Sequence, residues 1–211
     1  MIKPETLRAA EAHLRACDPR LARLIDVHGP CTIGAQRRDP FHVLCTSIIS
    51  QQLSIKAADT IQARVAVATG ASRRLTPAHL IACDHDTLRA CGLSNAKAQW
   101  LRALAEAVAS GELSFPKLKK MDDETAIRHL DALPGIGRWT AEMFLIFALG
   151  RLDVFSLGDI GLRNGLNRLH NGGVKLDEAA TLALTARWAP YRSIGSWYLW
   201  RITDGDVSGL D

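Results

Sequence analysis

The chain has 211 residues, 47% of them hydrophobic and 23% charged, which is enough apolar material to build a real core in one or two small domains. A net charge of +4 and a pI near 8.9 suit a polyanionic partner without demanding one. The absence of any apolar run of about 18 residues excludes a transmembrane helix, and the charged residues interleaved with Leu7, Ala10 and Leu14 over 1–25 exclude a signal peptide.

That first stretch, 1–25, reads as one amphipathic helix. After a break at Gly29-Pro30, apolar residues recur at helical spacing and predict helices over 40–50, 55–69, 87–91, 95–110, 122–133, 138–149, 159–169, 177–189 and 191–202. Breaks fall at Gly70, Thr76-Pro77, Gly92, Gly111, Pro116, Gly150 and Asn171-Gly172-Gly173. No segment alternates like a strand, and there is neither a repeat nor a low-complexity tract. The predicted fold class is all-α.

The five cysteines are Cys17, Cys31, Cys45, Cys83 and Cys91. They form no CxxC pair and no Cys/His spacing suited to zinc, so no structural metal is implied. An odd count, with Cys45 in an apolar helix, points to reduced, mostly buried thiols in a reducing compartment.

Two short segments carry the chemistry. The first is Leu133-Pro134-Gly135-Ile136-Gly137-Arg138-Trp139-Thr140, which leaves only a tight link between the helices expected over 122–133 and 138–149. Pro134 stops the first helix, and the glycines at 135 and 137 allow positive φ and close approach of another chain to the backbone. The second helix then opens with bare amides at the positive end of its dipole, a setting that suits a phosphate, and Arg138 adds a full charge beside them. A Pro-Gly-x-Gly turn alone is equally an ordinary connection between helices.

The second segment is Val154-Phe155-Ser156-Leu157-Gly158-Asp159, where Asp159 stands at the start of the next helix. By itself it reads as an N-cap. A cap and a catalytic carboxylate are compatible, because an ionised carboxylate is what a developing positive charge on a sugar requires.

The segment 130–168 resembles the helix-hairpin-helix, Gly/Pro-rich loop and Asp signature of the helix-hairpin-helix (HhH-GPD) DNA glycosylase superfamily, and within it the alkylbase, or 3-methyladenine glycosylase II, branch. The resemblance covers almost the whole chain. Ile48-Ile49-Ser50-Gln51-Gln52-Leu53-Ser54 is similar to the family segment that probes the duplex, Gly92-Leu93-Ser94 with Lys97-Ala98 resembles its middle helices, and the stretch 188–200 resembles its last helix.

Several consequences are implied by that resemblance. The fold would be two helical lobes, 1–34 plus 116–211 carrying the hairpin and Asp159, and an inserted lobe over 35–115, with the substrate cleft between them. The form would be compact, without the additional N-terminal α/β domain of the best-known member. Double-stranded DNA with damaged bases is the implied partner, and Asp159 the implied catalytic residue. DNA contact is implied for Gln52 as the wedge, with Leu53 beside it, and for Gly135, Ile136, Gly137, Arg138 and Thr140 in the hairpin. The two glutamines, Gln51 above all, also read as the plain exposed end of a helix.

Family branches that also cut the DNA backbone place a nucleophilic lysine directly after residue 138, whereas this chain has Trp139, so a monofunctional enzyme is implied. Lys117, Lys119 and Lys120 read as a solvated basic stretch. No cysteine follows residue 91, so the C-terminal iron–sulfur cluster of other branches is not expected; a monovalent cation at the hairpin is the one cofactor implied. For the base pocket, Trp200 matches the tryptophan beside the catalytic Asp, preceded by Arg192-Ser193, with Trp139 second; Trp197 reads as pocket or core, and Met143 stands where relatives carry tyrosine. A monomer in the cytoplasm, associated with the nucleoid through DNA and with no membrane contact, completes the expectation. The alternatives are a glycosylase for deaminated or mismatched bases and a non-catalytic helix-hairpin-helix DNA-binding module, which would need no Asp159.

Overall fold

A computed structural model describes residues 1–36 and 38–203, and among these every regular element is helical. They fall into two compact units, Met1–Arg37 with Leu145–Asp211, and Arg38–Phe144. No helix among the described residues is long and apolar enough to cross a membrane.

The first unit contains α1 (Pro4–Cys17), α2 (Pro19–His28), and, after the central unit, α11 (Ile160–Asn171), α12 (Glu178–Ala186) and α13 (Arg192–Thr203). The single helix expected over 1–25 is therefore two. Pro19 disfavours helical backbone at the residue before it, and Asp18 takes an extended φ of −144°. Asp18 then caps α2, accepting from the amides of Arg20 and Leu21 at 3.1 Å each.

Its carboxylate is only 1% exposed and also accepts from Trp188 Nε1 at 2.8 Å, with His170 Nε2 at 3.1 Å and Arg187 Nη2 at 3.2 Å beside it. Burial alone would raise its pKa; the hydrogen bonds from His170, Trp188 and the Leu21 amide outweigh that and hold it at about 2. One buried acid thus ties the N-terminal helices to α11 and to the turn after α12. Around it Leu14, Leu21 and Leu24 join Leu162, Leu166, Tyr198, Leu199 and Ile202 in the core. The α11–α13 crossing is closest at Gly165, where a Cβ would sit 2.7 Å from the Leu199 carbonyl.

The central unit holds α3 (Pro40–Ser50), α4 (Ile55–Thr69), α5 (Pro77–Ala82), α6 (His85–Ala90), α7 (Asn95–Ser110), α8 (Phe115–Leu118), α9 (Asp123–Asp131) and α10 (Arg138–Phe144). Its core gathers Leu44, Ile48 and Ile49 of α3 with Val65, Leu80, Leu88, Leu101, Leu104, Leu130 and Phe144. Helix α8 is absent from the periodicity because four residues are too short to show it, and α5 begins at a dipeptide that reads as a break. Thr76-Pro77 starts a helix where a break was expected: Thr76 and His79 form a capping box, and Pro77 occupies the first turn, where a missing amide costs nothing.

The unit boundaries depart from 35–115. Residues 116–144 group with the central unit, because α9 and α10 pack on each other and α10 packs on α3. The helix expected over 138–149 is α-helical to Phe144 and then widens into a π-helical turn, Leu145–Leu149. All five cysteines are unbonded, and four of them are buried. Burial pushes the Cys31 thiol up to about 12, so it stays protonated and packs as a small apolar side chain.

Candidate active site

In the first unit, the segment leading to Asp159 is pinned to the start of α13. Arg192 donates Nε and Nη2 to the two carboxylate oxygens of Asp153, at 2.8 and 2.9 Å, and the Val154 amide donates to Ser193 Oγ at 2.9 Å. Asp159 then caps α11, its Oδ1 accepting from the Leu162 amide at 2.8 Å. The same oxygen accepts from Trp200 Nε1 at 3.3 Å. The carboxylate is 8% exposed, and the Trp200 ring leans on Phe147 with centroids 5.4 Å apart. Local capping and a distant indole thus aim one carboxylate.

In the central unit, α9 and α10 are joined by a link whose conformation only glycine tolerates at one position. Gly135 has φ of +81°, and a Cβ there would lie 2.5 Å from the Trp100 ring. Gly137 differs: it is not among the positive-φ glycines, its Cβ direction is open, and its carbonyl accepts from Ala141 as α10 begins. Its value is the bare surface it leaves beside the first amides of α10, the donors every helix start leaves without an internal partner.

After α3 the chain turns through Gln51, Gln52 and Leu53. Among the described residues Gln52 is the one non-glycine with a positive φ, 56°, a conformation that costs a side chain energy and that persists only where neighbours impose it. Both Gln52 and Leu53 are exposed. Gln51 is not a loose helix end: it is half-buried and donates Nε2 to the Gly135 carbonyl at 2.8 Å. A cavity of about 680 Å³ lies beside this turn, with Gln51, Gln52, Gln62, Trp139, Thr140 and Met143 in its wall.

A family model described as HhH-GPD superfamily base excision DNA repair protein matches residues 45–190, spanning the turn after α3, the hairpin and Asp159. The chain belongs to the HhH-GPD superfamily. DNA-3-methyladenine glycosylase 1 of Schizosaccharomyces pombe is 34% identical over 200 residues, covering 93% of this chain and 87% of that protein. Among solved structures, a DNA-3-methyladenine glycosidase from Bacillus halodurans superposes with a TM-score of 0.82 at 38% identity, covering 90% of this chain and 87% of its own. The S. pombe 3-methyladenine DNA glycosylase in complex with abasic DNA gives 0.81 at 33% identity, covering 93% and 97%.

The remaining expected site residues of this HhH-GPD protein separate cleanly. Trp139, 49% exposed, and Met143 share the central unit's cavity, whereas Trp200 stands with Asp159 in the other unit. Trp197 is core: it is 8% exposed, packs edge-on to Tyr198 at 4.9 Å, and carries the Arg201 guanidinium 4.5 Å above its ring. Ile136, 2% exposed, anchors the hairpin in the core, so its contribution is backbone alone.

Arg138, expected as a charge beside the hairpin amides, is engaged within the protein as well. It forms a two-pronged pair with Glu124 at 2.8 Å and donates Nε to the buried Glu142 at 3.0 Å. Hydrogen bonding to Glu124, against a smaller cost of burial, raises its pKa further and clasps α9 to α10. Lys97, Trp100 and Phe147 were not expected as supports of the site. No local pattern marks Trp100 or Phe147, and Lys97 stands out only within the segment resembling the family's middle helices; each matters through a contact distant in sequence.

Proposed function

We propose that this protein is a monofunctional DNA glycosylase of base excision repair that hydrolyses the N-glycosidic bond of alkylated bases, of the 3-methyladenine and 7-methylguanine type, in duplex DNA. The observation that carries the reading is Asp159, a buried carboxylate that caps α11 and is held by the Trp200 indole. A module that only grips phosphate would use it as a helix cap and would need no second, distant donor on the same oxygen. The names of similar proteins, a DNA-3-methyladenine glycosylase and a DNA-3-methyladenine glycosidase, agree.

A base stacked in a duplex is out of reach, so the nucleotide is extruded at a cost of roughly a few kcal/mol, with the strained, exposed Gln52 filling the gap and Leu53 beside it. The amides after Gly137, at the start of α10, hold a phosphate of the distorted strand, and Thr140 lies on the same helix. Backbone oxygens of the hairpin would hold a monovalent cation there: the Leu133 carbonyl accepts from Ile136 and keeps a second lone pair. When bound, such an ion supplies positive charge to the phosphate.

Alkylation at adenine N3 or guanine N7 makes the base cationic and a good leaving group. The C1′–N bond breaks with its electron pair going to the base, and positive charge grows on the sugar. Asp159 stabilises that charge and orients a water, whose oxygen bonds to C1′ while its proton leaves through the carboxylate to solvent. Trp200, beside the acid, supplies a face for an electron-poor base. With Trp139 where a lyase carries lysine, no Schiff base forms and an abasic site is the product. The protein acts as a monomer in the compartment that holds the DNA.

The test is base release from methylated duplex by the wild type and by Asp159→Asn, scoring strand breaks with and without alkali. Free methylated base, breaks only after alkali, and loss of both in the variant are expected. Wild type that binds DNA but frees no base from methylated, deaminated or mismatched duplex would leave only a binding module.

A further inference from the structure

Helix α7 touches two separate features of the central unit that bear on DNA. Lys97 and Trp100 stand three positions apart on α7, on one helical face. The Lys97 ammonium donates to the carbonyls of Ile49 at 2.8 Å and Gln51 at 2.6 Å, oxygens at the end of α3 that have no partner further along their own helix. One turn along, the Trp100 ring lies so close to Gly135 that a Cβ there would be 2.5 Å from it. Gln51 closes the triangle by donating Nε2 to the Gly135 carbonyl.

The residue immediately after the carbonyl held by Lys97 is Gln52, the strained one. A side chain in the left-handed region relaxes unless its surroundings over-determine it. Here the surroundings are a charge-assisted bond to the preceding carbonyl and the Gln51 tie to the hairpin.

We propose that Lys97 and Trp100 are positioning residues for base extrusion: α7 sets the register between the Gln52 turn and the phosphate-gripping hairpin, so that a strand held by the hairpin meets the wedge at one fixed spacing. This rests on the glycosylase reading and on Gln52 as the wedge. Neither Lys97 nor Trp100 need touch DNA or the reacting atoms. Loss of the register slows extrusion while leaving phosphate grip intact.

The experiment uses the full chain and Lys97→Met, Lys97→Arg and Gln51→Met. Four quantities are read for each: the Kd for undamaged duplex by fluorescence anisotropy, the melting temperature, the stopped-flow signal of 2-aminopurine placed beside 7-methylguanine, and single-turnover release of that 7-methylguanine. Lys97→Met should keep Kd within about twofold and lower both the extrusion rate and the release rate about tenfold, as expected for the loss of a charge-assisted bond. Lys97→Arg, which can still reach a carbonyl, should recover most of the loss. Gln51→Met, which cuts the direct tie and leaves the α3 cap, should reproduce part of the defect even if Lys97→Met folds poorly.

Wild-type extrusion and release in both Met variants would overturn the proposal, as would parallel losses in Kd, melting temperature and extrusion, the mark of a merely structural role. A wild type that neither perturbs 2-aminopurine nor releases base would instead sink the glycosylase reading and the proposal with it.

Discussion

Trp200 Nε1 donates to the very oxygen of Asp159 that caps α11, at 3.3 Å, across 41 positions of sequence. That single acceptor links helix start and indole, so the carboxylate's orientation depends on both. Asp159→Asn preserves the cap, since Asn and Asp cap comparably, and the melting temperature should hold while base release falls at least about a hundredfold. Trp200→Phe keeps a ring against Phe147 but deletes the N–H, and release should fall about tenfold. Single-turnover kinetics with thermal melting checks both; a variant that melts early would refute the assignment of its loss to chemistry.

Gln52 offers a separation of stability from activity. Glycine accepts φ of 56° without the roughly 1 kcal/mol a side chain loses there, although its greater freedom when unfolded offsets part of that gain. Gln52→Gly should therefore melt at the wild-type temperature or slightly above, yet release base about tenfold more slowly for want of a wedge. A decrease in melting temperature with unchanged release would reverse the interpretation.

The two hairpin glycines should behave differently. Gly135→Ala puts a Cβ into Trp100 at a left-handed φ and should cost about 2–3 kcal/mol of stability, read by denaturant titration. Gly137→Ala meets open space and should change stability by less than about 0.5 kcal/mol. Its methyl instead obstructs the phosphate, so affinity for duplex should fall about tenfold, measured by anisotropy at fixed salt.

Asp18 predicts how the first unit responds to acid. Its folded pKa, about 2, lies below the ordinary 3.8, so the folded state favours the ionised form. The resulting stabilisation, about 2 kcal/mol, is full above pH ~4 and is lost as pH falls from there through 2. Asp18→Asn should remove the acid-linked slope in that window and destabilise the protein by about 3 kcal/mol at neutral pH, because His170 and Arg187 lose their shared carboxylate. Melting curves at stepped pH read both effects.

What the chain determined by itself was everything encoded within a few residues: helical spacing, the Pro134-Gly135 stop, Asp159 as a cap, Trp139 in place of a lysine, and the lack of any cysteine beyond Cys91. Those signals are local because helix periodicity, capping and turn chemistry act over one or two turns. Helical spacing alone did not separate the two tryptophans of α13; the family resemblance pointed to Trp200, and the tertiary structure supplies the physical reason. Trp197 and Trp200 sit three apart on one helix, and the tight α11–α13 crossing at Gly165 turns Trp200 to Asp159 and leaves Trp197 in the core. It likewise committed Arg138 to Glu124 and Glu142, bound Gln51 to the hairpin, and grouped α9 and α10 with the central unit. Each of these rests on a partner far away in sequence, and such pairings are selected by packing and by the need to satisfy buried polar groups, neither of which leaves a pattern along the chain.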